Sequence, residues 1–177
     1  MHSDELNHLM DIAWQHHENK NYSEAKKISI SVLEIDPVQP HALHLIGVLA
    51  YLNNQQDIAI NLISAAIGMH KKVAQMHGNL ALAKTAAGDL KGAAISCRKA
   101  LALNPGYADA HRVLGIVLQK QGKLKEAIRE FQRAFTLGLN TEELRTYLAN
   151  AQEELDSAKT ARSGLNKVLS QKVQTGF

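Results

Sequence analysis

Apolar positions recur three and four residues apart within short stretches, and the stretches themselves return every 34 residues. Blocks laid from Leu6, Pro40, Ala74, Ala108 and Glu142 each split into two helical halves around a short polar turn. The first halves are expected over 6–19, 40–53, 74–87, 108–121 and 142–155. The second halves are expected over 23–36, 57–70, 91–104, 125–138 and 158–172. The predicted units are 6–39, 40–73, 74–107, 108–141 and a degenerate capping unit over 142–173, with a tail at 174–177. The whole chain, 1–177, then forms one array, and the fold class is all-α, an α-solenoid of helix-turn-helix repeats.

The expected core follows from the same spacing. In the first block Leu9, Ile12 and Ala13 share a face, as do Ala25, Ile28 and Val32. The second block offers Leu43, Ile46, Gly47 and Ala50, then Ile60, Ile63, Ala66 and Ile67. The third uses Leu80 and Ala81, then Ala93, Cys97, Ala100 and Leu101. The fifth keeps Leu148 and Ala149, then Ala161, Leu165 and Val168. Turns are expected at Asn19-Lys20-Asn21, Asn53-Asn54, Gly88-Asp89, Gly122 and Asp156-Ser157. Ser23, Asp57 and either Asn140 or Thr141 are candidate helix N-caps. Pro40 suits a first helical turn, and Pro37 and Pro105 close helices.

Two columns of small residues run through the blocks. Ala13, Gly47, Ala81, Gly115 and Ala149 stand at one position, and Ala25, Ala59, Ala93, Ala127 and Ala161 at another. A mid-helix glycine costs about 0.5–1 kcal/mol relative to alanine. The expected compensation is close contact between the two helices of a unit.

Unit length, small columns and closing prolines together resemble the tetratricopeptide repeat family, from about Leu6 to Val173. The position that usually holds an aromatic early in the first helix carries Leu9, Leu43, His77, His111 and Arg145, and the closing proline is missing after the second and fourth blocks. The resemblance implies a right-handed superhelix whose first helices line a concave groove. The run Leu33 to Tyr51 is also similar to arrays that precede bacterial glycosyltransferase or sulfotransferase domains. No such domain fits in the remaining residues.

Composition narrows the functions without naming one. Hydrophobic residues make up 45% and the formal net charge is +3, too small to point to nucleic acid. No apolar run is long enough to span a membrane, and MHSDELNHLM does not read as a secretory signal, so a cytoplasmic location without membrane attachment is expected. The lone cysteine, Cys97, is expected buried and inert. No nucleophile–base set or phosphate-binding glycine loop is present, so neither enzymatic activity nor a cofactor is expected. His41 and His44 lie one turn apart, but no third ligand is evident and no metal is expected. The cations of the second halves alternate with acids such as Glu126 and Glu130, as on a solvated convex face.

The stripe beside the packed face of the first halves is the candidate groove. It collects Met10, Trp14 and His17, then His41, His44, Val48 and Tyr51, then Gln75, Asn79 and Leu82. It continues through Arg112, Ile116, Gln119 and Lys120 to Glu143, Thr146, Asn150 and Glu153. The partner-binding residues are expected to be His44, Val48, Asn79, Leu82, Arg112, Ile116, Gln119 and Lys120. Their chemistry suits a protein or peptide segment with an apolar anchor and an acidic group, so Arg112→Glu should weaken it. Some arrays of this family hold a C-terminal carboxylate with a first-unit lysine and asparagine. Met10 and Trp14 stand there, so that clamp is not implied. A regulatory or substrate-recruiting portion of a larger enzyme is an alternative role. Another is self-assembly through the first unit with Trp14 as anchor, within a chain otherwise monomeric or weakly self-associating.

Overall fold

The computed structural model describes residues 3–175, with side chains as far as Asn166. Expectations for Val168 and the tail fall outside the residues described to that level. Among the described residues there are helices and no strands. They are α1 Ser3–Glu18, α2 Tyr22–Ile35, α3 Pro40–Leu52, α4 Gln56–Met69, α5 Ala74–Ala86, α6 Leu90–Leu103, α7 Ala108–Lys120, α8 Leu124–Thr136 and α9 Glu142–Thr175. Consecutive helices pack in antiparallel succession. Each odd-numbered helix also touches the next odd one, whereas even-numbered helices do not meet one another. The odd helices therefore form the inner wall of an all-α solenoid, and the even helices splay apart outside.

The turns within the four complete units share one backbone device. Lys20, Asn54, Gly88 and Gly122 have φ of 60°, 57°, 83° and 74°, and they lie 34 residues apart. After each, an N–H reaches back five residues: Asn21 to the His16 carbonyl at 2.8 Å, Gln55 to Ala50, Asp89 to Lys84 and Lys123 to Leu118, each of these three at 2.9 Å. This pattern satisfies carbonyls that a helix end leaves open. Caps differ from the expected ones in places. Asn21 and Gln55 precede α2 and α4, so Ser23 and Asp57 lie inside those helices. Gln39 caps α3 by accepting from Ala42 N–H at 2.7 Å, Asp89 caps α6, and Thr141 Oγ1 accepts from Leu144 N–H.

The fifth block departs from expectation. Position 156 is where the left-handed residue would fall, yet Asp156 stays helical and α9 runs unbroken through it. Its carboxylate accepts from Gln152 at 3.1 Å and Lys159 at 2.8 Å, and its carbonyl accepts from Thr160. A left-handed turn at a residue with a Cβ costs about 1–2 kcal/mol. At Lys20 and Asn54 that cost is offset by the burial of Ala25 and Val32, and of Ile63 and Ala66. After Asp156 the next stretch offers little beyond Ala161 and Leu165, and Gly164 weakens it. Both Ala161 and Leu165 are exposed, contrary to expectation.

With no returning helix, the face of α9 that carries Ala149 has nothing to meet. Ala149 is exposed, and α9 buries Leu144 and Ala151 against the preceding unit instead. In complete units the small column does face its own second helix. A Cβ on Gly47 would stand 2.6 Å from Ile63 Cγ1 and 3.3 Å from the Ala59 carbonyl oxygen, and one on Gly115 would overlap the Phe131 ring. The C-terminal core gathers around Phe131, Val113, Val117 and Leu144, and the N-terminal core around Met10, Leu45 and Val32. The expected core residues Leu9, Ile12, Leu43 and Ile46 are half-buried, because the packed face is rotated toward Leu6, Met10, Ala42 and Leu45.

Candidate functional site

The inner wall presents a row of concavities between odd helices. The central one, about 200 Å³, is lined by Val48, Tyr51 and Leu52 of α3, Asn79 and Leu82 of α5, His17 of α1 and Ile63. Helical spacing brings Val48 with Leu52 and Asn79 with Leu82 to one side of their helices. A second, about 310 Å³, is formed by Ile116, Gln119 and Lys120 of α7 with Tyr147, Asn150 and Glu154 of α9. A third, between Asp11, Trp14, His41 and Gln75, opens toward the N-terminal end. Leu52, Ile63, Tyr147 and Glu154 were absent from the sequence-derived stripe. Leu52, Tyr147 and Glu154 reach the groove from beside the packed face, whereas Ile63 is a fully buried α4 residue, expected in the core, that lines the concavity from within it.

Three residues expected at the surface are buried, and one of them, Val48 at 8% exposure, still borders the central concavity. Met10 is 2% exposed, and His44 is also 2% exposed. The small position of α1 and the rotation of its face toward α3 turn Met10 inward. His44 lies beneath the groove, where its Nε2 accepts from the Asn79 amide at 2.9 Å and its ring packs 5.0 Å from Trp14. Its part is to orient Asn79. Trp14 also meets His17 edge-on at 5.3 Å, so the expected assembly anchor is engaged within its own chain. Within this aromatic group His17 Nδ1 is buried with no hydrogen-bond partner among the described residues, and its ring borders the central concavity.

Burial holds the His44 ring neutral, lowering its pKa from 6.5 to about 3, with His41 and His17 adding repulsion. The unfolded chain takes up this proton near pH 6.5. Between those values the unfolded state therefore binds one more proton, and stability present above pH 6.5 is lost as pH falls, by about 1.4 kcal/mol per unit. His44→Gln removes the titrating group. Urea midpoints at pH 7 and about 5.5 should fall less in this variant than in the parent; equal falls would exclude His44 as the source.

The basic half of the groove is partly committed. Arg112, with 16% of its side chain exposed, pairs with Asp109 at 3.1 Å and Glu143 at 3.7 Å, joining α7 to α9. Gln119 donates to Glu154 at 2.6 Å. Lys120 is exposed and has no ion pair among the described residues. Two further histidines are structural in placement: His77 Nε2 donates to the Lys71 carbonyl at 3.0 Å, and His111 Nδ1 meets Glu130 at 2.7 Å. His41 faces His70 at a ring distance of 5.5 Å. Cys97 is fully buried, and burial pushes its thiol up to about 12. No helix among the described residues is long and apolar enough to cross a membrane.

Comparison with known proteins places this geometry among relatives. Residues 44–108 and 84–138 match two family models, both described as tetratricopeptide repeat, which together span more than half of the chain. No curated protein matches the chain by sequence. A crystal structure of MamA protein is 21% identical, with a TM-score of 0.69, over 96% of this chain and 92% of that one. The APC/C hetero-tetramer Cut9–Hcn1 gives 21% identity and a TM-score of 0.74, over 81% of this chain but 29% of the other. The first such domain of Spaghetti (RPAP3), bound to the HSP90 peptide SRMEEVD, gives 23% identity and a TM-score of 0.64, over 66% of this chain and 95% of that one. At these identities the likeness is one of fold.

Proposed function

The chain belongs to the tetratricopeptide repeat family, and from that premise we propose that it is a non-catalytic scaffold that holds a protein or peptide segment in its concave groove. The observation that carries the reading is the apolar concavity between α3 and α5, with the Asn79 amide fixed at its edge by His44. An apolar side chain of the partner fills the space beside Val48, Tyr51 and Leu82. The Asn79 carbonyl oxygen is left to accept from the partner's backbone. Lys120 supplies the uncommitted cation for an acidic group, about one helical turn beyond Ile116. The Spaghetti domain carries an acidic peptide, which supports a segment of this kind as ligand. The residues that would define a tail clamp are replaced here by buried Met10 and by Trp14, so the proposal does not extend to that peptide's terminus.

Arg112 has a narrower part than its charge suggests. Reversing it places a carboxylate between Asp109 and Glu143, which disturbs the α7–α9 junction along with the groove. Leu82→Asp and Lys120→Glu are the cleaner probes. Peptides selected from a random phage-displayed library on the immobilised chain should share a large apolar residue and a carboxylate. Each variant should weaken them by about tenfold or more, equivalent to about 1.4 kcal/mol. The reading fails if no peptide is selected, or if the selected peptides bind both variants as tightly as the parent.

A further inference from the structure

The outer face carries a second, chemically different concavity. Where α4 and α6 splay apart, a cleft of about 500 Å³ opens with Ile67, Gly68 and Leu103 as apolar walls and Lys71 and Lys99 at its border. Gly68 is what keeps it open, since nothing lies within 4 Å of where its Cβ would stand. The charge around it is one-sided. Between residues 58 and 108 the sequence has a single carboxylate, Asp89, against Lys71, Lys72, Lys84, Lys91, Arg98 and Lys99. Asp89 lies near Lys84, at 4.0 Å, leaving the cleft's two lysines without an ion pair among the described residues.

The matching surface is on the same chain. Residues 1–57 hold eight carboxylates and three lysines. At the end of α2, Ile35 is 50% exposed between Glu34 and Asp36, and Val38 beyond Pro37 is 58% exposed. Glu34 has no ion pair among the described residues. The corner is thus an exposed apolar side chain flanked by carboxylates, and the cleft is an apolar recess flanked by ammonium groups. The corner and the cleft also share one edge of the array. Ile35, Met69 and Leu103 are the last residues of α2, α4 and α6, lie 34 apart, and are all exposed large hydrophobics. A shared edge lets each of two copies give its corner to the other's cleft, which is the condition for a closed two-fold interface.

We propose that two copies of this chain pair along the edge formed by the ends of α2, α4 and α6, with the Glu34-Ile35-Asp36 corner of each seated in the other's Lys71–Lys99 cleft. The cleft shares no lining residue with the concavities of the inner wall, so the groove stays free in the pair. Sedimentation equilibrium of the full chain tests this. The parent should be a dimer that dissociates on dilution, and more readily in about 0.5 M salt, because the contact is rimmed by opposite charges. Glu34→Lys and Lys99→Glu should each raise the dimer dissociation constant about tenfold or more. The double variant should return to within about threefold of the parent, since it restores opposite charges across the contact. Gly68→Leu should abolish dimerisation by filling the cleft, with an unchanged helical circular-dichroism spectrum. A parent that stays monomeric at about 1 mM, well above typical weak-interface constants, overturns the proposal, whatever else occupies the cleft. So does a dimer indifferent to Gly68→Leu, or a charge-swapped double variant no tighter than the single ones.

Discussion

Phe131→Ala should lower the stability of the array by about 3–5 kcal/mol, the range for removing a buried aromatic from a packed core. Phe131 is fully buried and is the largest such side chain in the described residues. Its ring lies against Gly115 of α7 on one side and stacks on Tyr147 of α9 at 5.8 Å on the other. One side chain therefore ties three consecutive helices together. In an array each unit is supported only by its neighbours, so the loss should appear first as opening of α8 and α9. Hydrogen exchange would register this as early loss of protection after Leu124, with the urea midpoint giving the magnitude. Gln132→Ala, one residue on but exposed, should stay within about 0.5 kcal/mol. Comparable losses from both would mean that α8 presents a different face to the core.

Gly47→Leu has the second largest expected effect, a destabilisation of about 1–3 kcal/mol from overpacking. The added Cβ alone would press on Ile63 and on the Ala59 carbonyl, and backbone yields less readily than the end of a side chain. The two helices of the second unit would have to separate. Gly68 gives the opposite case in the next helix, where a Cβ meets open space. Gly68→Ala should therefore gain about 0.5–1 kcal/mol from helix propensity. Thermal unfolding of the two variants separates a glycine required by contact from one that is not. A Gly47→Leu protein as stable as the parent would remove close helix approach as the explanation of the small column.

The repeat, its helices and the pairing of small residues were legible because they rest on spacing alone. Gly47 and Ala59, 12 residues apart, meet as their columns imply. The regular turn at Lys20, Asn54, Gly88 and Gly122 was also readable, though two of these four residues lack the glycine signature. What sequence spacing could not supply was the consequence of ending. The fifth block keeps alanines at both column positions, but Ala149 needs a returning helix, and the stretch after Asp156 has too little to bury to make one return. The groove residues were legible as a stripe and not as depths. Val48, Asn79 and Leu82 do line one concavity, while His44 on the same stripe is withdrawn beneath it. A rotation of the helix by a fraction of a turn decides between those outcomes, and no single-residue pattern encodes it. Arg112 was readable as a cation; its ion pairs depend on where Asp109 and Glu143 fall in space.

The groove claim meets its most direct test in amide and methyl NMR shifts recorded while a library-selected peptide is titrated into the full chain. The account predicts a footprint confined to the inner wall, at Val48, Asn79 and Leu82 of α3 and α5 and extending to Ile116 and Lys120 of α7. A footprint centred on Ile67, Lys71 and Leu103 of the outer cleft, with the inner-wall signals unmoved, would contradict it.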